Sequence, residues 1–177
     1  MKITTWYLKL NGWFEILEKV ISVAIILGIV LVVFAGTISR YLLNAPLYGV
    51  DRLGTYLMIW LGFIGFQIAT SKIRHIEVEF VKSKVSERVK YMMNMFINLM
   101  AAVVIFIFAM LSYKYTTISM ELQDKDQVLG IPMWWVIIII PISFIISSVR
   151  FFFTIFLWLD VLQGKRVETD IVKKQIL

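Results

Sequence analysis

Few residues in this 177-residue chain are equipped for chemistry. Cysteine is absent, which excludes disulfides, thiolate metal sites, iron–sulfur ligation and cysteine nucleophiles. The single histidine, His75, lies near Glu77 and Glu79, but Lys72 and Arg74 crowd the same stretch, so a metal site there is disfavoured. A haem held by two imidazoles would need a second histidine. The other polar groups with suggestive spacing are amides: Asn94 and Asn98 share a helical face at i and i+4, and Gln67 stands alone in an apolar run. Such groups hydrogen-bond between helices, and small residues four apart, Ala35 with Ser39 and Gly65 with Ala69, let helices approach. No acid, base or nucleophile cluster is present to make an enzyme, and no cofactor is expected.

The elements that must position these residues are long and apolar. Uncharged windows cover 20–39, 53–71, 91–113 and 127–149, each long enough to cross a bilayer, since about 20 helical residues span about 30 Å of hydrocarbon. None shows the polar and apolar alternation of a membrane barrel strand. Hydrophobic residues make up 60% of the chain, too many for an ordinary soluble domain. The expected fold class is therefore an all-α membrane protein, one transmembrane domain over 1–177. Its expected spans are about 20–39, 53–71, 91–113 and 128–150, the last continuing toward 159 before a tail at 160–177. The first apolar stretch follows about twenty residues with Trp6, Trp13, Glu15 and Glu18, unlike a signal peptide, so it is expected to be a retained helix.

Charge sets the expected orientation. Of the 18 Lys and Arg residues, 14 lie in the N-terminal arm, the middle connection and the tail from Arg150 onward. The other two connections hold only Arg40, Arg52, Lys114 and Lys125, matched by Asp51, Glu121, Asp124 and Asp126. By the positive-inside rule both termini are expected in the cytoplasm, with the basic side against anionic phospholipids. No Asp, Glu, Lys, Arg or His falls within the four windows, and such residues mark ion pathways and charged-substrate sites. A self-sufficient coupled transporter is thus not expected.

Details at the helix ends complete the reading. Trp6, Leu10, Trp13, Phe14 and Leu17 recur opposite Lys9, Glu15 and Lys19, which predicts a cytoplasmic interfacial helix over about 5–18. Val78, Val81, Val85 and Val89 predict a second one in the middle connection. Asn44 and Pro46 suit a tight turn, and Arg40 can reach Asp51 or a lipid phosphate. Trp60, mid-span, is expected to pack into a partner helix. Pro132 suits a helix start, with Trp134 and Trp135 as an aromatic belt, and Pro141 should bend the last helix. Arg150 is expected to snorkel from that helix toward water. His75 is expected to cap a helix end or meet headgroups.

Several of these residues carry a family resemblance. Arg40-Tyr-Leu-Leu-Asn-Ala-Pro-Leu, then Asp51, Trp60, Gly65 and Arg74-His75-Ile76-Glu77-Val78, resemble the small membrane subunit of tripartite ATP-independent periplasmic (TRAP) transporters. Gly130-Ile-Pro-Met-Trp-Trp and Pro141 are similar to the family's last-helix signature. Departures are Val50 before Asp51, where the family often has a second acid, and Arg74, where it often has glycine. The resemblance implies a sodium-coupled system importing an organic acid. In it, a periplasmic binding protein delivers the substrate and a large elevator-type subunit moves it, while the small subunit scaffolds the large one and helps dock the binding protein. Asn44, Asp51, Glu121 and Asp124 would lie near the docking surface. From the residues alone, an assembly factor or sensor in the membrane, or a small homo-oligomeric channel, remains open as an alternative.

Overall fold

The computed structural model describes residues 2–71 and 86–163. Helix α1 runs Lys2–Tyr41, α2 Val50–Ser71, α3 Glu87–Glu121, α4 Met133–Ile137 and α5 Ile139–Leu162. Counting α4 and α5 as one nearly continuous unit, four helices are long and apolar enough to span a membrane. Among the described residues the only β feature is an isolated bridge between Lys125 and Pro132.

α1 is a single helix of 40 residues, about 60 Å at 1.5 Å per residue. The expected interfacial segment and first span are drawn without a break between them. Their junction, Glu18-Lys19-Val20, contains no proline or glycine to interrupt the hydrogen-bond ladder. The second expected interfacial helix, His75 and the tail from 164 onward lie outside the described residues.

Contacts fix the order of the helices in space as α1, α2, α5, α3. α2 and α5 run parallel, because Trp60 meets Val136, Gln67 meets Ser143 and Thr70 meets Ser147 at a nearly constant offset of 76 or 77 residues. α3 is antiparallel to α5: Tyr91 stacks on Trp158 at 5.7 Å, and Ser148 donates to the Ala102 carbonyl at 3.0 Å. α1 is antiparallel to α2, and a Cβ at Gly36 would lie 2.7 Å from Val50 Cγ1, so glycine there permits the close approach. This pairing brings the start of α1, the end of α2, the start of α3 and the end of α5 to one end of the bundle. The 42–49 and 122–132 connections lie at the other.

The interior is small and the surface apolar. Leu157, Trp158 and Val161 form a buried cluster joined by Tyr7, Tyr91 and Met95. Phe144 faces Phe63 and Phe66 of α2 and Phe108 of α3 at ring separations of 5.7 to 5.9 Å. Most large apolar side chains of α1 and α3 point outward. That inversion suits a lipid solvent, in which packing and polar contacts hold helices together because hydrocarbon is as apolar as leucine.

Two ends of the long helices close by positive-φ residues. Gln123, at φ 51°, ends α3: its N–H reaches the Met120 carbonyl and the Asp124 N–H reaches that of Ser119, a Schellman arrangement. Asn44, at φ 50°, turns the chain after α1, and asparagine tolerates this left-handed region better than most residues. α4 and α5 part at Ile138 because Pro141 cannot donate to the Ile137 carbonyl. The anticipated bend is thus an interruption one turn before the proline.

Candidate functional site

The polar groups gather in three places. The first is a buried ion pair. Arg150 Nη2 lies 2.7 Å from Glu18 Oε1, with the two side chains only 4% and 7% exposed. Arg150 Nη1 also donates to the Gln67 carbonyl. Thr154 Oγ1 and the Tyr7 hydroxyl donate to the Arg150 carbonyl at 2.8 and 3.4 Å. Tyr7 stacks on Phe153 with centroids 4.8 Å apart. Arg150 therefore does not snorkel: it turns inward, because Glu18 and the Gln67 carbonyl offer a charged acceptor and a dipole within reach. Three helices, α1, α2 and α5, meet at this one guanidinium. Glu18 Oε2 and Ser22 Oγ, one turn apart on α1, are buried with no hydrogen-bond partner among the described residues.

The second is a ladder between α2 and α5. Gln67 Nε2 donates to Ser143 Oγ at 2.6 Å, and Thr70 and Ser147 hydroxyls lie 3.0 Å apart. The Trp60 indole donates to the Val136 carbonyl at 3.1 Å, next to the interruption at Ile138. Trp60 is thus engaged by the chain's own last span. Each rung satisfies a polar group that would otherwise face hydrocarbon.

The third is the 122–132 connection, organised by Asp126. Its Oδ1 accepts the Tyr56 hydroxyl at 2.7 Å, and its Oδ2 accepts the Val128 and Leu129 N–H groups at 3.0 and 2.6 Å. The Tyr56 hydrogen bond, with those from Leu129 and Val128, holds the Asp126 carboxyl below its usual range. Gly130, at φ 67°, and Gly49, at φ 83°, occupy backbone regions that favour glycine. A side chain at Gly49 would also collide with Leu129, which packs the two connections together.

The anticipated residues divide among these places and the surface. Arg40 and Asp51 meet at 3.3 Å, as expected from sequence, but exposed. Arg52 and Pro46 are exposed, and Pro132 caps α4 with Trp134 and Trp135 edge to face behind it at 5.7 Å. Asn94 and Asn98 are buried, yet the Asn98 amide donates to the Asn94 carbonyl within α3, at 2.7 Å, instead of crossing to a neighbour. Gly65 and Ala69 face outward, and among the described residues nothing lies within 4 Å of where a Gly65 Cβ would be. The Glu18–Arg150 pair was not anticipated. Its sequence signal is an acid and a base close outside two uncharged windows, at the same end of the bundle, with Glu18 set among Glu15 and Lys19 and Arg150 standing alone.

Chemically, the arrangement fastens helices. Among the described residues no group of three potential metal ligands comes together. The family model for the DctQ component of tripartite ATP-independent periplasmic transporters matches residues 29–161, three quarters of the chain. The chain belongs to this family. It is accordingly a membrane subunit of a transporter and not an enzyme, and a multi-pass protein of the inner membrane. The sialic acid TRAP transporter small permease protein SiaQ of Vibrio cholerae is 22% identical over 160 residues, covering 90% of this chain and 91% of that protein. The ectoine TRAP transporter small permease protein TeaB of Halomonas elongata is 23% identical over 145 residues, 78% of this chain and 74% of that one. The sialic acid TRAP transporter permease protein SiaT of Haemophilus influenzae is 24% identical over 135 residues. This chain's match covers 76% of its own length but only 22% of SiaT. The matched region starts beyond Glu18 and includes Arg150.

Proposed function

We propose that this chain is the scaffold-forming small permease subunit of a sodium-coupled, binding-protein-dependent transporter that imports an organic acid. In this reading it has no substrate site of its own. It holds a larger, moving permease subunit in a stable heterocomplex and contributes surface on which a periplasmic binding protein docks transiently. The observation that carries the reading is where its polar groups go. Gln67, Ser143, Thr70, Ser147, Arg150 and one oxygen of Glu18 are engaged with one another inside the bundle, while the long apolar faces of α1 and α3 are left uncovered. A protein built this way holds neighbours in place and leaves conduction to them. The match to a fifth of SiaT supports the same division of labour, with a small-subunit-like region inside a longer permease.

Both termini lie in the cytoplasm, where the lysines and arginines of the N-terminal arm, middle connection and tail meet anionic phospholipids. Asn44, Asp51, Glu121 and Asp124 lie at the opposite end and face the binding protein.

A mild-detergent pull-down of tagged protein from its own membrane, followed by mass spectrometry, tests the scaffold role. A near-stoichiometric large permease is expected. Recovery of the chain alone, as monomer or homo-oligomer, would overturn it in favour of a channel or sensor. Reporters fused after residue 177 and within 121–126 test the orientation, with cytoplasmic and periplasmic signals expected respectively.

A further inference from the structure

Between the last turns of α1 and the first turns of α2 lies a cavity of about 240 Å³. Its mouth carries Arg40 and Asp51, which sit at the ends of two membrane-spanning segments. Its walls are Val33 and Met58 on the deeper side, with Thr37, Tyr41, Val50 and Thr55 nearer the mouth. Val33 and Met58 each lie seven residues from the charged residue on their own helix, about 10 Å toward the bilayer centre. Gly54 forms part of the floor: it is buried, yet nothing lies within 4 Å of where its Cβ would stand. A buried backbone facing empty space is a built vacancy, not a loosely packed surface.

We infer that this groove binds one phospholipid with an ethanolamine headgroup, its phosphate on Arg40, its ammonium on Asp51 and one acyl chain laid over Gly54. The amphiphile matches the groove end for end. Among the described residues Arg40 meets Asp51 through one nitrogen at 3.3 Å, and its side chain is 56% exposed. The guanidinium therefore keeps donors for a phosphate, which it can grip with two parallel hydrogen bonds. Asp51, 90% exposed, accepts from a primary ammonium. Two opposite charges side by side fit a zwitterion better than an anion. A glycerol headgroup offers Asp51 no cation, and a choline headgroup offers a cation without N–H donors.

Native mass spectrometry of the full-length protein, purified with whatever subunits stay attached, reads the site directly. The probes are mixed micelles containing equal phosphatidylethanolamine, phosphatidylglycerol and phosphatidylcholine. Wild type is expected to retain the ethanolamine lipid in excess of the other two. Arg40→Gln should lower retention of all three by about tenfold or more, the size of one charge-assisted contact. Asp51→Asn should abolish the ethanolamine preference while leaving phosphatidylglycerol bound. Gly54→Leu should lower retention of every lipid without changing helical content. Free phosphoethanolamine should displace none of them, because the acyl chain supplies the hold in the groove.

Equal retention of the three lipids by wild type, or preference for phosphatidylglycerol, would overturn the headgroup assignment. Unchanged retention in both Arg40→Gln and Gly54→Leu would overturn the groove itself, as would full displacement by free phosphoethanolamine. Arg40 is on the surface, so its variant remains informative even where a leucine at 54 disturbs folding.

Discussion

α1 makes two ion pairs to other helices, one near its middle and one at its C-terminal end, and the two share their chemistry but little else. Both join an arginine to a carboxylate. Glu18–Arg150 is closed at 2.7 Å and almost fully buried, whereas Arg40–Asp51 is open at 3.3 Å and surrounded by solvent or headgroups. The buried pair ties α1 to α5 beside the Tyr7–Phe153 stack, and reaches α2 through the Gln67 carbonyl. The exposed pair joins helices that already touch through Gly36 and Val50. An arginine–carboxylate pair is therefore not a unit of fixed worth. Its environment decides whether it holds the bundle together or presents charge to a ligand.

The largest effect should come from breaking the buried pair one-sidedly. Arg150→Met leaves the Glu18 carboxylate in a low-dielectric site with no partner, which typically costs about 3–5 kcal/mol. Replacing both, with Glu18→Gln and Arg150→Met, removes the stranded charge and should recover most of the loss, because a buried pair is often no better than a well-packed neutral substitute. Denaturant titration in detergent micelles, followed by near-ultraviolet circular dichroism, separates the two. A double variant as unstable as the single one would mean that the arginine's other contact, with the Gln67 carbonyl, matters more than the charge pairing.

A smaller effect belongs to the ladder beside that pair. A cycle of Gln67→Leu and Ser143→Ala should give a coupling of about 0.6 to 1.7 kcal/mol, the range for hydrogen bonds between membrane helices. At the other end of the bundle, Asp126 provides a pH-dependent contrast. Its carboxyl titrates below the ordinary 3.8, so its stabilisation of the 122–132 connection is complete above that value and is lost as pH falls through the depressed one. The protection of the Val128 and Leu129 amides against hydrogen exchange, taken relative to the intrinsic rate at the same pH, should fall at that acid limit, and in Asp126→Asn at neutral pH. The Glu18–Arg150 end should show no change in the same variant.

These contrasts also mark what the sequence made legible. The four spans could be read because uncharged length is a direct physical requirement for crossing hydrocarbon. The Arg40–Asp51 contact was readable because both residues flank one short turn. Glu18–Arg150 was not, since it joins residues 132 apart and depends on which faces of α1 and α5 meet. Periodicity says that a face exists and is silent on its neighbour. The same gap explains Asn94 and Asn98, whose spacing suggested a contact across helices but whose amide–carbonyl bond closes within α3. The interruption at Ile138 was half legible: Pro141 announces a lost hydrogen bond to the Ile137 carbonyl, but not that the helix would part there instead of bending.

The smallest stability effect should be at the exposed pair, and its smallness is the informative part. Arg40→Gln or Asp51→Asn should change unfolding stability by less than about 1 kcal/mol, because solvent screens the attraction and holding two long side chains together costs entropy. Raising salt should erase even that difference. A pair so weakly committed to the fold can exchange its partner for a headgroup without loosening the helices, which the buried pair cannot do. If Arg40→Gln instead destabilised the bundle as much as Arg150→Met, the contrast between the two pairs would collapse. Arg40 would then be a second structural lock, and its place at the mouth of the groove would have to be explained by packing alone.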